Sequence, residues 1–196
     1  MAISWTSSWT VTTNKIVGTN YSDSDANGTA LNGNSSANHI SGLAGDDDIY
    51  GHGGNDDLYG DGGHDTIRGG SGDDRISGGT GNDILIGGAG RDALWGSSGA
   101  DVFRYLLVSD SSVAARDAIK DFDFHDVIDL SALGAFAGGF VGSGGFTGGG
   151  QGSVRFVQTG FSSGRVEADV NGDGAADLAI DVTGVALPVT AADYVL

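Results

Sequence analysis

Along the middle of this chain an apolar residue returns every nine positions, at Ile49, Leu58, Ile67, Ile76, Leu85, Leu94 and Phe103. Between these positions the sequence is polar and glycine-rich, and aspartate keeps the same period at Asp47, Asp56, Asp65, Asp74, Asp83, Asp92 and Asp101. On one register residues 42–104 read GLAGDDDIY, GHGGNDDLY, GDGGHDTIR, GGSGDDRIS, GGTGNDILI, GGAGRDALW and GSSGADVFR, or G-G-x-G-x-D-x-U-x with U apolar. A weaker copy precedes them, with Asn38 at the aspartate position and Ile40 at the apolar one, which sets the start of the lattice near Gly33. Three glycines in six residues allow a tight turn with positive φ, and the x-U-x triplet is long enough for one short strand that buries one side chain. A lone repeat cannot cover its own apolar residue. Successive strands must therefore run back and forth, two repeats making one coil of a parallel β-roll with the U residues inside.

This geometry sorts the aspartates into two columns. Asp47, Asp65, Asp83 and Asp101 fall on one side and Asp56, Asp74 and Asp92 on the other, with neighbours separated by the strand spacing of about 4.8 Å. Carboxylates at that spacing repel by roughly 0.8 kcal/mol per pair even at the dielectric of water. A cation between them removes the repulsion. Calcium takes six to eight oxygens at about 2.3–2.6 Å and can collect carbonyls and carboxylates from two stacked turns, whereas magnesium wants about 2.0–2.1 Å and keeps its waters. No thiolate and little imidazole is present to attract zinc or copper.

Composition sharpens the picture. Of 26 acidic residues only Glu167 is a glutamate, a bias towards the short, stiff carboxylate that a ligand in a turn requires. The formal net charge is −17, and the nine Lys and Arg residues read as scattered along the chain with no basic stripe, which argues against nucleic acid as a partner. With no cysteine there is no disulfide framework. Stability outside a cell would then come from metal. At free calcium tenfold above a dissociation constant of about 10⁻⁴ M, each ion contributes roughly 1.4 kcal/mol, and about five approach the stability of a whole domain. The N-terminal MAISWTSSWTVTTNK has neither the basic start nor the apolar core of a cleaved secretory signal, and no segment approaches a membrane span, so no membrane insertion is expected.

The repeat resembles the RTX (repeats-in-toxin) calcium-binding family. The resemblance implies that the seven repeat aspartates and backbone oxygens of the glycine turns are ligands, the glycines being Gly51, Gly60, Gly69, Gly70, Gly72, Gly78, Gly79, Gly81, Gly87, Gly88 and Gly90. Adjacent same-side pairs give about five Ca2+ sites. Leu43, His52, Asp61, Ser97 and Ser98 replace turn residues, which is expected to weaken the outer sites.

Flanking the repeats, residues 1–32 are Ser/Thr/Asn-rich with Trp5, Trp9 and Tyr21 as large anchors, and read as a cap or a linker. From Tyr105 the nine-residue period stops. Asp117 to Ser131 alternates acidic and apolar residues, a Gly-rich tract spans 138–152, and Ser153 to Val157 reads as a strand, which together predict antiparallel strands closing the roll. For Asp117, Asp121, Asp123, Asp126 and Asp129 a solvated strand face is the leading expectation and further calcium ligation the alternative. This part is similar to the C-terminal domain of serralysin-type bacterial metalloproteases, through Gly99-Ala-Asp-Val-Phe103, Asp117-Ala-Ile-Lys-Asp-Phe122, Asp126-Val-Ile-Asp-Leu-Ser131, Phe146-Thr-Gly, residues 169–177 and the final Thr190 to Leu196. The resemblance implies a calcium roll with an uncleaved C-terminal signal for the type I secretion machinery, here Asp193-Tyr194-Val195-Leu196, with a frayed terminus as the alternative. Within it, Asp169-x-Asn171-x-Asp173-Gly174-x-x-Asp177 has the oxygen spacing of an EF-hand loop, but Ile180 stands where the bidentate glutamate belongs. A weak calcium loop and an Asp-Gly hairpin turn are both open.

No protease site can be built, because a His-Glu-x-x-His helix is absent and Glu167 has no histidine near it in sequence. His39, His52, His64 and His125 fall at different repeat positions and read as turn residues. The expected organisation is all-β, with a cap or linker at 1–32, the calcium roll at 33–104 and a C-terminal β region at 105–196. The expected function is that of a non-catalytic, secreted calcium-binding module that folds outside the cell. The alternative is a carbohydrate-binding or adhesive module with a glycan partner, since the repeats also resemble the R-modules of alginate epimerases.

Overall fold

The computed structural model describes residues 21–22, 30–134, 136–146, 148–184 and 190–196. Trp5 and Trp9 lie outside the described residues. The chain winds between two sheets. Strands β1 (Tyr21–Ser22), β3 (His39–Ser41), β5 (Asp57–Gly62), β7 (Arg75–Thr80) and β9 (Ala93–Ser98) build one, and β2 (Ala30–Asn34), β4 (Asp48–Gly53), β6 (Thr66–Ser71), β8 (Ile84–Ala89) and β10 (Val102–Arg104) the other. All neighbours within this set are parallel, and residues 18 apart in sequence sit side by side, as in Ile49↔Ile67 and Leu58↔Ile76. Strands β4 to β9 are six residues long rather than three, because the three residues after x-U-x also pair with the neighbouring coil although the second of them has positive φ.

Each U side chain points between the sheets. Ile40, Leu58, Ile76 and Leu94 from one sheet and Ile49, Ile67, Leu85 and Phe103 from the other form two facing files, each side chain with at most 1% of its surface exposed. Burying an aliphatic side chain of this size is worth about 1.5–3 kcal/mol, so the files are the main apolar stabiliser of the roll. The second file reaches further back than Gly33. Leu31, one period before Ile40, is buried and pairs with Ile49.

Beyond Arg104 the roll continues although the sequence period has ended. Strands β11 (Ala118–Phe122) and β12 (Val127–Asp129) pair in parallel with β9 and β10, so the expected antiparallel arrangement does not begin at Tyr105. The register explains why: Ala118 lies beside Ala93 and Val127 beside Val102, a step of 25 residues in place of 18. Seven added residues carry buried Tyr105 and a single 3-10 turn at Val108–Ser111, then return the chain to the same track.

Antiparallel pairing appears only later. Strand β13 (Gly139–Phe140) lies parallel to β14 (Ser153–Gln158), and β14, β15 (Ser163–Asp169) and β16 (Leu178–Gly184) form an antiparallel meander whose last strand lies parallel to β11. Val154, Phe156, Val166, Ala168, Leu178, Ile180 and Val182 join the same core as the roll. Among the described residues the first sheet thus has ten strands and the second seven, ending in β17 (Tyr194–Val195) beside β12. That last strand answers the expectation for the C-terminus. Tyr194 is buried and stacks on Phe140 at 5.2 Å, while Asp193 accepts from the amide and hydroxyl of Thr190, so the end is docked and not frayed. Among the described residues no helix is long and apolar enough to cross a membrane.

Candidate metal centre

The turns between strands stack into two ladders. In the first, the Asp47 amide donates to the Asp65 carboxylate, Asp65 to Asp83, and Asp83 to Asp101, at 2.8–2.9 Å. In the second, Asn38 donates to Asp56, Asp56 to Asp74, and Asp74 to Asp92, at 2.7–2.9 Å. The predicted columns are therefore present, and the carboxylates of Asp56, Asp65, Asp74, Asp83, Asp92 and Asp101 are each anchored by the turn 18 residues before. Both ladders run one rung past the repeats. Asp92 donates to Asp117 at 2.9 Å and Asp101 to Asp126 at 3.1 Å.

This corrects the expectation of a solvated face for Asp117, Asp126 and Asp129, which are all buried. Asp129 is occupied by an ion pair with Arg104 at 2.7 Å, and Asp121 accepts from the amides of Gly96 and Ser97. The signal in the sequence was the Asp-x-U spacing of Asp117-Ala-Ile119 and Asp126-Val-Ile128, which repeats that of Asp92-Ala-Leu94 and Asp101-Val-Phe103.

From Asp56 to Asp117 one oxygen of each ladder carboxylate is spent on the ladder, and the other is not. The second oxygens of Asp56, Asp65, Asp74, Asp83, Asp92, Asp101 and Asp117 are buried without a donor at hydrogen-bond geometry among the described residues. Leaving a buried acceptor unpaired costs about 1–3 kcal/mol, and more when it is charged. A run of such atoms in register is the arrangement that a cation compensates. Burial accordingly pushes the carboxyls up, with partial relief from the ladder amides: Asp74, Asp83 and Asp101 to about 6, and Asp92 and Asp126 to about 7. Asp117 is pushed up to about 8 by burial and by the charge of Asp92, while the ladder amide and the neighbouring Tyr105 phenol pull the other way.

The glycines define what surrounds those oxygens. At the first position of each repeat, a Cβ on Gly42 would stand 2.6 Å from the Asp47 carboxylate and 2.8 Å from the Gly60 carbonyl oxygen. The same pair of oxygens, the turn's own aspartate and the first glycine 18 residues on, converges at Gly51, Gly60, Gly69 and Gly78; at Gly87 the Asp92 carboxylate alone plays this part. The fourth-position glycines, including Gly72, Gly81 and Gly90, have positive φ and stack so tightly that a Cβ would overlap the carbonyl of the glycine 18 residues earlier. At the second position, Gly70, Gly79 and Gly88 also have positive φ, and there Leu43, His52, Asp61 and Ser97 adopt the same left-handed conformation. Ser98 is an ordinary third-position residue, matching Ser71 and Thr80.

Carboxylate and carbonyl oxygens at one strand spacing suit a hard divalent cation, and the donor set fits calcium. Among the described residues no three His, Asp or Glu side chains converge, so a cation held here would need backbone oxygens beside the carboxylates.

The loop at 169–177 is built differently. Asp169 accepts from the amides of Gly172, Asp173 and Gly174, Asp177 from those of Val170 and Asn171, and Asp173 from that of Ala175. It closes the hairpin between β15 and β16, and its carboxylates are committed to the loop's own amides.

A family model described as peptidase M10 serralysin C terminal matches residues 22–196. Among solved structures, the AlgE6R3 subunit of the mannuronan C5-epimerase of Azotobacter vinelandii is 28% identical, with a TM-score of 0.50 over 88% of this chain and 85% of that one. The AlgE6R2 subunit of the same epimerase is 29% identical over 92% of this chain and 91% of that one, with a TM-score of 0.42. No curated protein matches the sequence.

Proposed function

The chain belongs to the peptidase M10 serralysin C-terminal family, a calcium-binding repeat module of the RTX type, and from that premise we propose that it is a non-catalytic module, folded by Ca2+ outside the cell. The observation that carries this reading is the pair of ladders, with seven buried carboxylate oxygens that no donor meets among the described residues. Calcium would supply the missing charge and tie each turn to the next. The residues that would hold it are Asp47, Asp56, Asp65, Asp74, Asp83, Asp92 and Asp101, with the carbonyls of the first-position glycines; Asp117 extends the set beyond the repeats. About five ions fit the repeat turns.

Without cations the ladder carboxylates oppose folding, so a chain held at low cytosolic calcium stays extended enough for an export channel. We assign the address to Asp193-Tyr194-Val195-Leu196, read by type I secretion machinery before the segment docks as β17. Residues 33–104 are the calcium-carrying unit and 105–196 the cap that completes the ladders.

The test is far-UV circular dichroism of chelator-treated protein titrated with calcium, with magnesium as the control. A cooperative gain of β signal with calcium alone is expected. A chain that is fully folded in chelator at pH 8 overturns the proposal.

A further inference from the structure

Asparagine followed by glycine is the dipeptide most prone to lose its side-chain amide, because glycine puts no side chain in the way as its nitrogen approaches the asparagine Cγ. Two such pairs lie among the described residues, Asn32-Gly33 in β2 and Asn171-Gly172 in the loop between β15 and β16.

The loop depends on both residues of the second pair. Gly172 has a φ of 75°, and a Cβ there would stand 2.4 Å from the Gln151 nitrogen and 2.5 Å from the Gly150 carbonyl carbon, so backbone packs against its open side. Asn171 uses both ends of its amide. Its Oδ1 accepts from the Asp173 amide at 2.8 Å, and its Nδ2 donates to the Asp177 carboxylate at 3.2 Å. An aspartate in its place keeps the first bond but sets two carboxylate oxygens against each other at the second.

In the closed loop the reaction is held off. The Gly172 nitrogen can attack only after losing its proton, and that N–H donates to Asp169 Oδ1 at 2.7 Å. Asp169 is fully buried and also accepts from the amides of Asp173 and Gly174. Removing the Gly172 proton would place a nitrogen anion against this carboxylate with no water between them to screen the repulsion. The Asn171 amide is itself tied to Asp177 at 3.1 Å, which fixes the backbone from which the side chain would have to turn.

We propose that Asn171 is a deamidation site gated by this loop, protected while the loop is closed and modified when it opens, and that the product weakens the loop. In the open chain hydroxide takes the Gly172 proton and the nitrogen bonds to Asn171 Cγ. The Cγ–Nδ2 bond then breaks, and the nitrogen leaves as ammonia with a proton drawn from water. Water opens the resulting succinimide at either carbonyl, giving aspartate or isoaspartate at position 171. The step is one way, so the modified fraction records how long the hairpin has stood open before folding. Asn32 is the counterpart in the roll. Its strand is held by the Asn32↔Tyr50 and Asn34↔His52 pairings with β4, so its protection rests on the calcium reading, whereas that of Asn171 does not.

The experiment follows the full chain at pH 8 in calcium, in chelator and in urea by peptide mass mapping over time. Asn171 is expected to convert about a hundredfold faster in urea than in calcium. Asp169→Asn leaves Gly172 an uncharged acceptor and is expected to raise the rate in calcium by about tenfold. Asn171→Asp is expected to lower the thermal midpoint in calcium by about 2–4 °C. Equal rates in urea and calcium overturn the proposal, a comparison that needs no variant and stands even if Asp169→Asn does not fold. A slower rate in Asp169→Asn also overturns it, since Asp169 would then be the base that starts the reaction. An unchanged midpoint in Asn171→Asp removes the weakening of the loop. Asn32 left unmodified in chelator counts against the calcium reading alone and leaves the gate at Asn171 standing.

Discussion

The turn carboxylates of the roll and those of the hairpin loop at 169–177 are the same chemical group in similarly Asp-Gly-rich sequence, yet they are built into opposite states. In the loop, Asp169 and Asp177 each take up amides of their own turn, and the loop is complete by itself. In the roll, Asp74 and Asp83 each spend one oxygen on a turn 18 residues away and keep the other buried without a donor among the described residues. A local hydrogen-bond network closes a turn. A stacked one with spare oxygens leaves it dependent on something added.

The largest test of this contrast is hydrogen exchange in chelator at pH 8. Amides of β4 to β10 are expected to lose protection worth about 5 kcal/mol or more, while part of the β14–β15–β16 meander stays protected. Uniform loss would erase the distinction. Next in size, Gly81→Ala forces a methyl into the Gly63 carbonyl and should cost about 4 kcal/mol or more, whereas Gly149→Ala, with open space around it, should cost about 1–2 kcal/mol for its positive φ alone. Thermal unfolding in saturating calcium measures both.

A third comparison uses charge without shape. Asp83→Asn should raise the calcium midpoint by about tenfold, whereas Asp169→Asn should cost about 1–3 kcal/mol of stability with the midpoint unmoved. If Asp169→Asn moves the midpoint instead, the hairpin loop is a calcium site. A last comparison is the effect of pH on metal-free protein. Folded-state values of about 6 to 8 for Asp74, Asp83, Asp92, Asp101, Asp117 and Asp126 lie above the ordinary 3.8. Their contribution is therefore fully present below about pH 4 and is lost as pH rises through 6 to 8. In chelator, β signal should be greater at pH 5 than at pH 8.

The roll was legible in sequence because one nine-residue rule fixes the turn, the strand and the buried residue at once. It faded where the rule was kept in space but broken in spacing. Asp117 and Asp126 complete the ladders, yet the seven residues inserted around Tyr105 hide them from any fixed period, and an alternating segment such as 117–131 reads equally well as antiparallel. Leu31 was missed for a related reason, since no aspartate two residues before it announces a repeat. The gathering of Arg75, Arg91 and Arg116 on or beside one sheet could not be read at all. Arg75, Arg91 and Arg116 are separated along the chain and become neighbours only when the coil count is known.

The ladders also have a direction. Every rung is an amide on the earlier turn received by a carboxylate on the later one, so each coil is finished by the coil that follows it. Shortening the chain from its N-terminal side would only idle an acceptor that water or a cation can satisfy. Shortening it from the other side would strip the amides of Asp92 and Asp101 of the carboxylates that receive them. The non-repeating segment that supplies Asp117 and Asp126 is thus the closing course of the stack.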